Sequence, residues 1–263
     1  MKNALIYLIV FIAIQCGVSI GVREVWRMVT GSPDITTMML VVSMTLFSAI
    51  TIAIFLLARW CEVARSYVRS RPWTALAWCV VASVGAVIPS TWLQEQMPEL
   101  PNYLLDEFSM LMGDRWGYLA IGLLAPVAEE IVFRGAILRS LLRAMRNHWV
   151  AIAISAVIFA IIHGNPAQMP HAMLVGLLLG WMYYRTDSLV PGVAFHWANN
   201  TIAYVLYNVL PAPDATLIQI FGGSQTQVLM AVGFSLCILV PAIIQLNLRL
   251  KKAGGSPTPT WKR

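Results

Sequence analysis

Apolar residues run along this chain in long blocks, not in the alternating or 3.6-residue patterns of elements that face water on one side. Blocks of roughly 20 residues with little charge recur at about 4–22, 37–58, 74–93, 116–138, 149–163, 169–184, 189–210 and 227–247. Each has the length and composition of a membrane-spanning helix. The pattern predicts an all-α, polytopic membrane protein of about eight transmembrane helices. The fifth and sixth blocks are short. Between them "HGNPAQMPH" (163–171) carries Pro166 and Pro170 as helix breakers, which predicts a tight hairpin that stops short of the outer surface. The first block follows Lys2 and resembles a signal peptide, but it is too long for one and "QCGVSIGV" offers no A-x-A-like cleavage site. It is expected as a retained helix.

Composition narrows this further. The chain of 263 residues is 59% hydrophobic and 11% charged with mean hydropathy +0.71, so no polar block is large enough to fold as a separate soluble domain. One membrane domain is expected over 1–248, followed by a Gly/Pro/Ser/Thr-rich tail, 249–263, that is disordered and cytoplasmic.

The net charge of +6 does not point to nucleic acid, because the basic residues sit in short segments between apolar blocks and not on one amphipathic face. They report topology. With the N-terminus inside, the inner segments hold Lys2, the arginines from Arg59 to Arg71, those from Arg134 to Arg146, Arg185, and the basic residues from Arg249 onward. That is 15 of 18 basic residues, and this bias places both termini in the cytoplasm. The outer side keeps Arg23, Arg27 and Arg115, while Glu95, Glu99, Asp106 and Glu107 crowd the third loop.

The cysteines Cys16, Cys61, Cys79 and Cys237 lack CxxC spacing, so neither a disulfide framework nor a thiolate zinc site is indicated. They are expected as buried small hydrophobes. Gly17-xxx-Gly21 and Gly176-xxx-Gly180 have the small-xxx-small spacing that lets helices approach closely.

Against this apolar background, a few polar groups stand out. "APVAEEIVFRGAIL" (125–138) places Glu129, Glu130 and Arg134 inside a spanning block, where an ionisable group costs about 2.5–3.5 kcal/mol on the insertion scale. Residues four apart share a helix face, so Glu130 and Arg134 are expected to pair. Glu129, about 100° round the helix, is left to face other helices as a usable general base. "FAIIH" sets Phe159 over His163, and "HWANN" sets His196 beside Asn200. Together these residues supply a base, a second proton carrier and oxyanion donors, a set hydrolytic in character.

Taken singly, each has a bland structural reading as an ion pair, an interface histidine or helix–helix glue. Found together in three spans, they indicate one shared site. By helix counting, however, His163 falls near the outer end of its span and His196 near the inner end of the next but one. A shared site therefore requires the 149–163 helix to begin deeper or to tilt. His148 and His171, at span ends, are expected to be structural. There is no HExxH and no GxSxG, and every aspartate is expected in a loop, which leaves no intramembrane aspartate dyad.

In their order on successive membrane helices, EExxxR (Glu129, Glu130, Arg134), FxxxH (Phe159, His163) and HxxxN (His196, Asn200) resemble the CPBP (or Abi) family of intramembrane proteases. This family includes the type II CAAX prenyl endopeptidases and bacterial immunity-linked proteins. The resemblance covers about 117–208. It implies an eight-helix fold that hydrolyses a peptide bond of a membrane-associated peptide or protein, with the lipid bilayer as its setting and no nucleic acid partner. It further implies that Glu129 and His163 activate water, that His196 and Asn200 stabilise the oxyanion, and that Glu130, Arg134 and Phe159 shape the site. Zinc on Glu129, His163 and His196 is the other reading the family allows, although Asn200 suits an oxyanion better than a metal.

The compact chain looks like the bacterial members, which sets the expected location as a bacterial inner membrane. Two competing readings remain. A proton-coupled transporter would need inverted repeats, which the sequence lacks. A non-enzymatic immunity or scaffold protein would keep the fold and act by binding.

Overall fold

The computed structural model describes residues 2–62, 65–210, 212 and 215–252. Among the described residues the chain is helical with no strand. The expected tail lies outside them from residue 253 on.

Helix α1 (Lys2–Thr30) and α2 (Thr37–Leu57) form a hairpin, with Thr36 capping α2 by accepting from the Met39 N–H at 3.3 Å. The short α3 (Arg65–Arg69) leads into α4 (Trp73–Glu95), and α5 (Leu105–Met112) follows an extended loop. Asp106, expected in a loop, lies in the first turn of α5. A continuous helix, α6, then runs over 115–144. After it come α7 (His148–Ile161), a 3₁₀ turn (Pro166–Gln168), α8 (Met169–Thr186), α9 (Val190–Val209), the short α10 (Leu217–Ile220) and α11 (Gln225–Arg249).

A helix lies at each of the eight apolar blocks, yet only four are long and apolar enough to qualify as candidate membrane spans: α1, α2, α4 and α11. The reason is in the sequence. α7 has 14 residues, or about 21 Å at 1.5 Å per residue against a hydrocarbon core of about 30 Å. Changes of winding divide α6 into short segments, and Pro, His, Asn or Arg dilute α8 and α9.

α6 is the axis of the bundle. Every residue from Glu130 to Leu138 is buried, as befits a helix enclosed on all sides. Phe11 of α1, Phe55 of α2, Phe133 and Ile137 of α6, and Ile152 and Phe159 of α7 make the main core around it. A second cluster joins Cys79 of α4, Leu179 and Met182 of α8, Phe195 of α9 and Leu246 of α11.

Gly176 and Gly180 serve close packing of α8 on α7, since a Cβ at either would meet Ala156 at 3.1 Å or Ile152 at 2.9 Å. Gly17 and Gly21 face open space. Of the cysteines, Cys61 and Cys79 are buried as expected, whereas Cys16 and Cys237 are exposed because their helices α1 and α11 lie at the rim of the bundle.

Candidate active site

The local winding of α6 sets the site. Asp114 caps its start, accepting from the N–H of Trp116 at 2.7 Å and of Gly117 at 3.3 Å. The helix is π-wound over Tyr118–Leu124, returns to α over Ala125–Glu129, and is π-wound again over Glu130–Leu138. Such wider turns often mark functional sites.

Pro126 explains part of this. The Ala125 N–H bonds to the Ala120 carbonyl, an i→i+5 step. The next donor in that register would be residue 126, a proline without N–H. The Ile121 carbonyl is thereby left free, and the Asn200 side chain donates to it at 2.9 Å.

Glu130 is fully buried, and its Oε1 lies 2.9 Å from Arg134 Nη1, the i, i+4 pair expected from sequence. Arg134 is 1% exposed; its Nη2 donates to the Gly176 carbonyl at 3.4 Å, and its guanidinium carbon sits 4.3 Å from the centre of the Phe159 ring. Phe159 is a hub. Its ring meets those of Phe133, His163 and His196 edge-on at 5.1, 4.9 and 5.9 Å.

The His196 ring is held between the two glutamates, with Nδ1 3.2 Å from Glu130 Oε1 and Nε2 3.7 Å from Glu129 Oε2. A carboxylate only accepts, so Nδ1 donates to Glu130 and Nε2 is the atom presented to Glu129. One turn earlier, Gly192 leaves the room this requires: a Cβ there would fall 2.7 Å from Glu130 Oε2. That oxygen is buried without a hydrogen-bond partner. The side chain of Glu129 is 22% exposed against 0% for Glu130, so of the two it is Glu129 that a water or substrate can reach.

His163 bonds through Nδ1 to the Phe159 carbonyl at 2.7 Å. A carbonyl only accepts, so Nδ1 carries the proton and Nε2 of the neutral ring is left with its lone pair. Phe159 thus orients His163 twice, by ring contact and by backbone oxygen.

Asn200 points elsewhere, to the Ile121 carbonyl, while its Oδ1 accepts from Asn199 Nδ2 at 3.4 Å. Asn199 in turn contacts His171 Nε2 at 3.3 Å, and His171 lies within electrostatic reach of His163 and His196. By sequence His171 reads as structural at a span end, and its position at a helix start carries no sign of this neighbourhood.

The same contact removes the depth mismatch between His163 and His196. His171 is the third residue of α8 and Asn199 the tenth of α9. α8 therefore begins beside the middle of α9, and the α7–α8 turn lies at that level. The α4–α5 loop and the last turn of α4 hold the turn there: Tyr103 N–H donates to Asn165 Oδ1 at 3.1 Å, Asn165 Nδ2 to Asn102 Oδ1 at 2.7 Å, and Gln94 to the Ala167 carbonyl at 2.9 Å.

Among the described residues no three His, Cys, Asp or Glu side chains converge to hold a metal ion. His196 and His163 each tie Nδ1 to an acceptor and leave Nε2 open, a pattern that would also suit a metal-ligating imidazole, and no step below is routed through a metal.

A bundle of apolar helices closed around buried glutamates and histidines defines a membrane protein built on an internal polar site. Residues 112–202 match the Rce1-like family model, described as type II CAAX prenyl endopeptidase Rce1-like, so over that stretch the chain carries a CAAX-protease-like domain. The stretch runs from the end of α5 into α9 and contains every residue of the three motifs. No curated protein and no solved structure matches the chain.

Proposed function

We propose that the chain is an intramembrane endopeptidase that hydrolyses a peptide bond of a membrane-associated peptide or protein. The observation that carries this reading is the pairing of the accessible Glu129 with His196, whose far nitrogen is fixed by the buried Glu130–Arg134 pair. The Rce1-like match supports the reaction class.

In this mechanism Glu129 takes a proton from water as the oxygen attacks the scissile carbonyl carbon, with the lone pair of His163 Nε2 as the second acceptor. The carbonyl π electrons move onto oxygen, and the resulting oxyanion is stabilised by protonated His196, with the remaining Asn200 N–H as a second donor. The proton then passes to the amide nitrogen as the C–N bond breaks, releasing an amine and a carboxylate. Glu130, Arg134 and Phe159 position the two histidines and touch no reacting atom.

The same reading includes eight membrane-crossing helices with both termini cytoplasmic, a single domain over 1–248, and a bacterial inner-membrane location. The basic residues support the orientation: Lys2, Arg139 and Arg143 line one cavity at one end of the bundle, and Arg185 bonds Asn247 at 2.9 Å.

The test compares membrane fractions from cells lacking the protein and complemented with wild type or Glu129→Gln at matched expression, by mass spectrometry of peptide termini. New termini should appear with wild type alone. If Glu129→Gln restores the same termini, Glu129 is not the base and this mechanism is wrong; if it rescues a phenotype while no new termini appear with either form, the protein acts by binding.

A further inference from the structure

A second built site lies away from the glutamates. A cavity of about 380 Å³ opens between the start of α1 and the end of α6, lined by Lys2, Asn3 and Tyr7 on one side and Arg139, Ser140 and Arg143 on the other. Three of these side chains are cationic and none is a carboxylate. One acidic residue, Glu62, meets Arg139 at 2.5 Å, but it is 59% exposed and does not line the cavity. Arg139 is only 5% exposed, and its Nε is buried with no hydrogen-bond partner. A buried charged donor without an acceptor is costly. The adjoining cavity adds to this an excess of positive charge that an anion would offset. The opening N–H groups of α1, which have no partners within the helix, add to the same field.

We propose that this cavity binds a phosphate group, supplied by the headgroup of an anionic membrane lipid such as a phosphatidylglycerol. The shared chemistry is a phosphate oxygen accepting from the Ser140 hydroxyl, with Lys2, Arg139 and Arg143 neutralising its charge. Two further observations favour a lipid over free phosphate. The cavity sits where helices end and basic residues gather, the level at which headgroups lie. Ile6 and Ile9 also continue the stripe of α1 that begins at Lys2, and they are 49% and 55% exposed, an open apolar track for an acyl chain. This inference does not depend on the catalytic reading.

The test uses full-length protein stripped of lipid in a neutral detergent, as wild type and as Lys2→Gln/Arg143→Gln. Native mass spectrometry follows titration with phosphatidylglycerol and with phosphatidylcholine, and a thermal-shift series uses inorganic phosphate. Wild type should hold one phosphatidylglycerol at least tenfold more tightly than phosphatidylcholine, and the double variant should lose that preference. Ser140→Ala, which cannot disturb folding through charge, should weaken phosphatidylglycerol severalfold.

If inorganic phosphate raises the wild-type melting temperature but not the variant's, while neither lipid is preferred, the phosphate site stands and its ligand comes from water. Equal binding of both lipids with no phosphate shift overturns the proposal. So does undiminished phosphatidylglycerol binding by the double variant.

Discussion

Replacing Arg134 by Met tests what the central ion pair contributes. In a water-soluble protein, removing one partner of a buried pair costs about 3–5 kcal/mol because the other charge is stranded. Here the estimate is smaller. Glu130 and Arg134 are four apart on one helix, and a helix separated from its bundle within a membrane keeps that pair, so much of its energy is common to the folded and reference states. What differs is what Arg134 does to other helices: its stacking on Phe159 of α7, with 4.3 Å to the ring centre, and its bond to the Gly176 carbonyl of α8. A desolvated cation–π contact contributes about 2 kcal/mol, and an interhelical hydrogen bond in a membrane protein about 0.6. Arg134→Met should therefore cost about 2–3 kcal/mol.

Equilibrium unfolding in mixed micelles, followed by tryptophan fluorescence, measures this. Pairing Arg134→Met with Phe159→Leu in a double-mutant cycle isolates the stacking term, with an expected coupling of about 1–2 kcal/mol. A coupling within about 0.5 kcal/mol of zero would refute the assignment of stability to the ring. A loss of 4 kcal/mol or more, at the level of soluble proteins, would refute the view that the ion pair persists in the separated helix.

Gly192→Ala should drive Glu130 Oε2 away and misplace His196, cutting turnover of an identified substrate by more than about tenfold, or about 1.4 kcal/mol, while thermal stability falls little; unchanged turnover would remove Gly192 from the site's geometry. Asn200→Asp should place a carboxylate oxygen against the Ile121 carbonyl and destabilise the bundle by about 1–3 kcal/mol, read as a lower melting temperature in detergent. Burial pushes the Cys61 thiol up to about 12, with Arg139 pulling the other way. At pH 8 only about one thiol in ten thousand is then ionised, so maleimide labelling of Cys61 should be slow at neutral pH and rise about tenfold per pH unit. Rapid modification of Cys61 at neutral pH would contradict this packing.

The positions of the helices were legible because the length of an apolar block reports a helix directly. The Glu130–Arg134 pair was legible because i, i+4 spacing is local, and the same spacing placed Phe159 over His163. Properties that depend on how helices are arranged against each other were not legible. His171 becomes a neighbour of Asn199 only because α8 begins beside the middle of α9, an offset with no local code. Asn200 was expected among oxyanion donors, yet one of its N–H groups is engaged by a carbonyl that Pro126 leaves free, a consequence of a hydrogen-bond register the composition does not reveal. Cys16 and Cys237 were expected inside because free cysteine is usually buried, a tendency that weakens where the outer surface faces lipid.

The alternation of windings along α6 separates its two ends. In an α-helix each residue adds about 100° of rotation, so one insertion or deletion turns everything beyond it by that angle. A π-wound segment already holds extra chain per turn. Deleting one residue between Gly135 and Leu138 is absorbed by a return to α winding, leaving Glu129 and Glu130 facing His196 and Arg139 and Arg143 close to their present direction. The two ends of this helix thus keep their relative facing through a single-codon loss in length between them, a tolerance closed to a helix of uniform pitch.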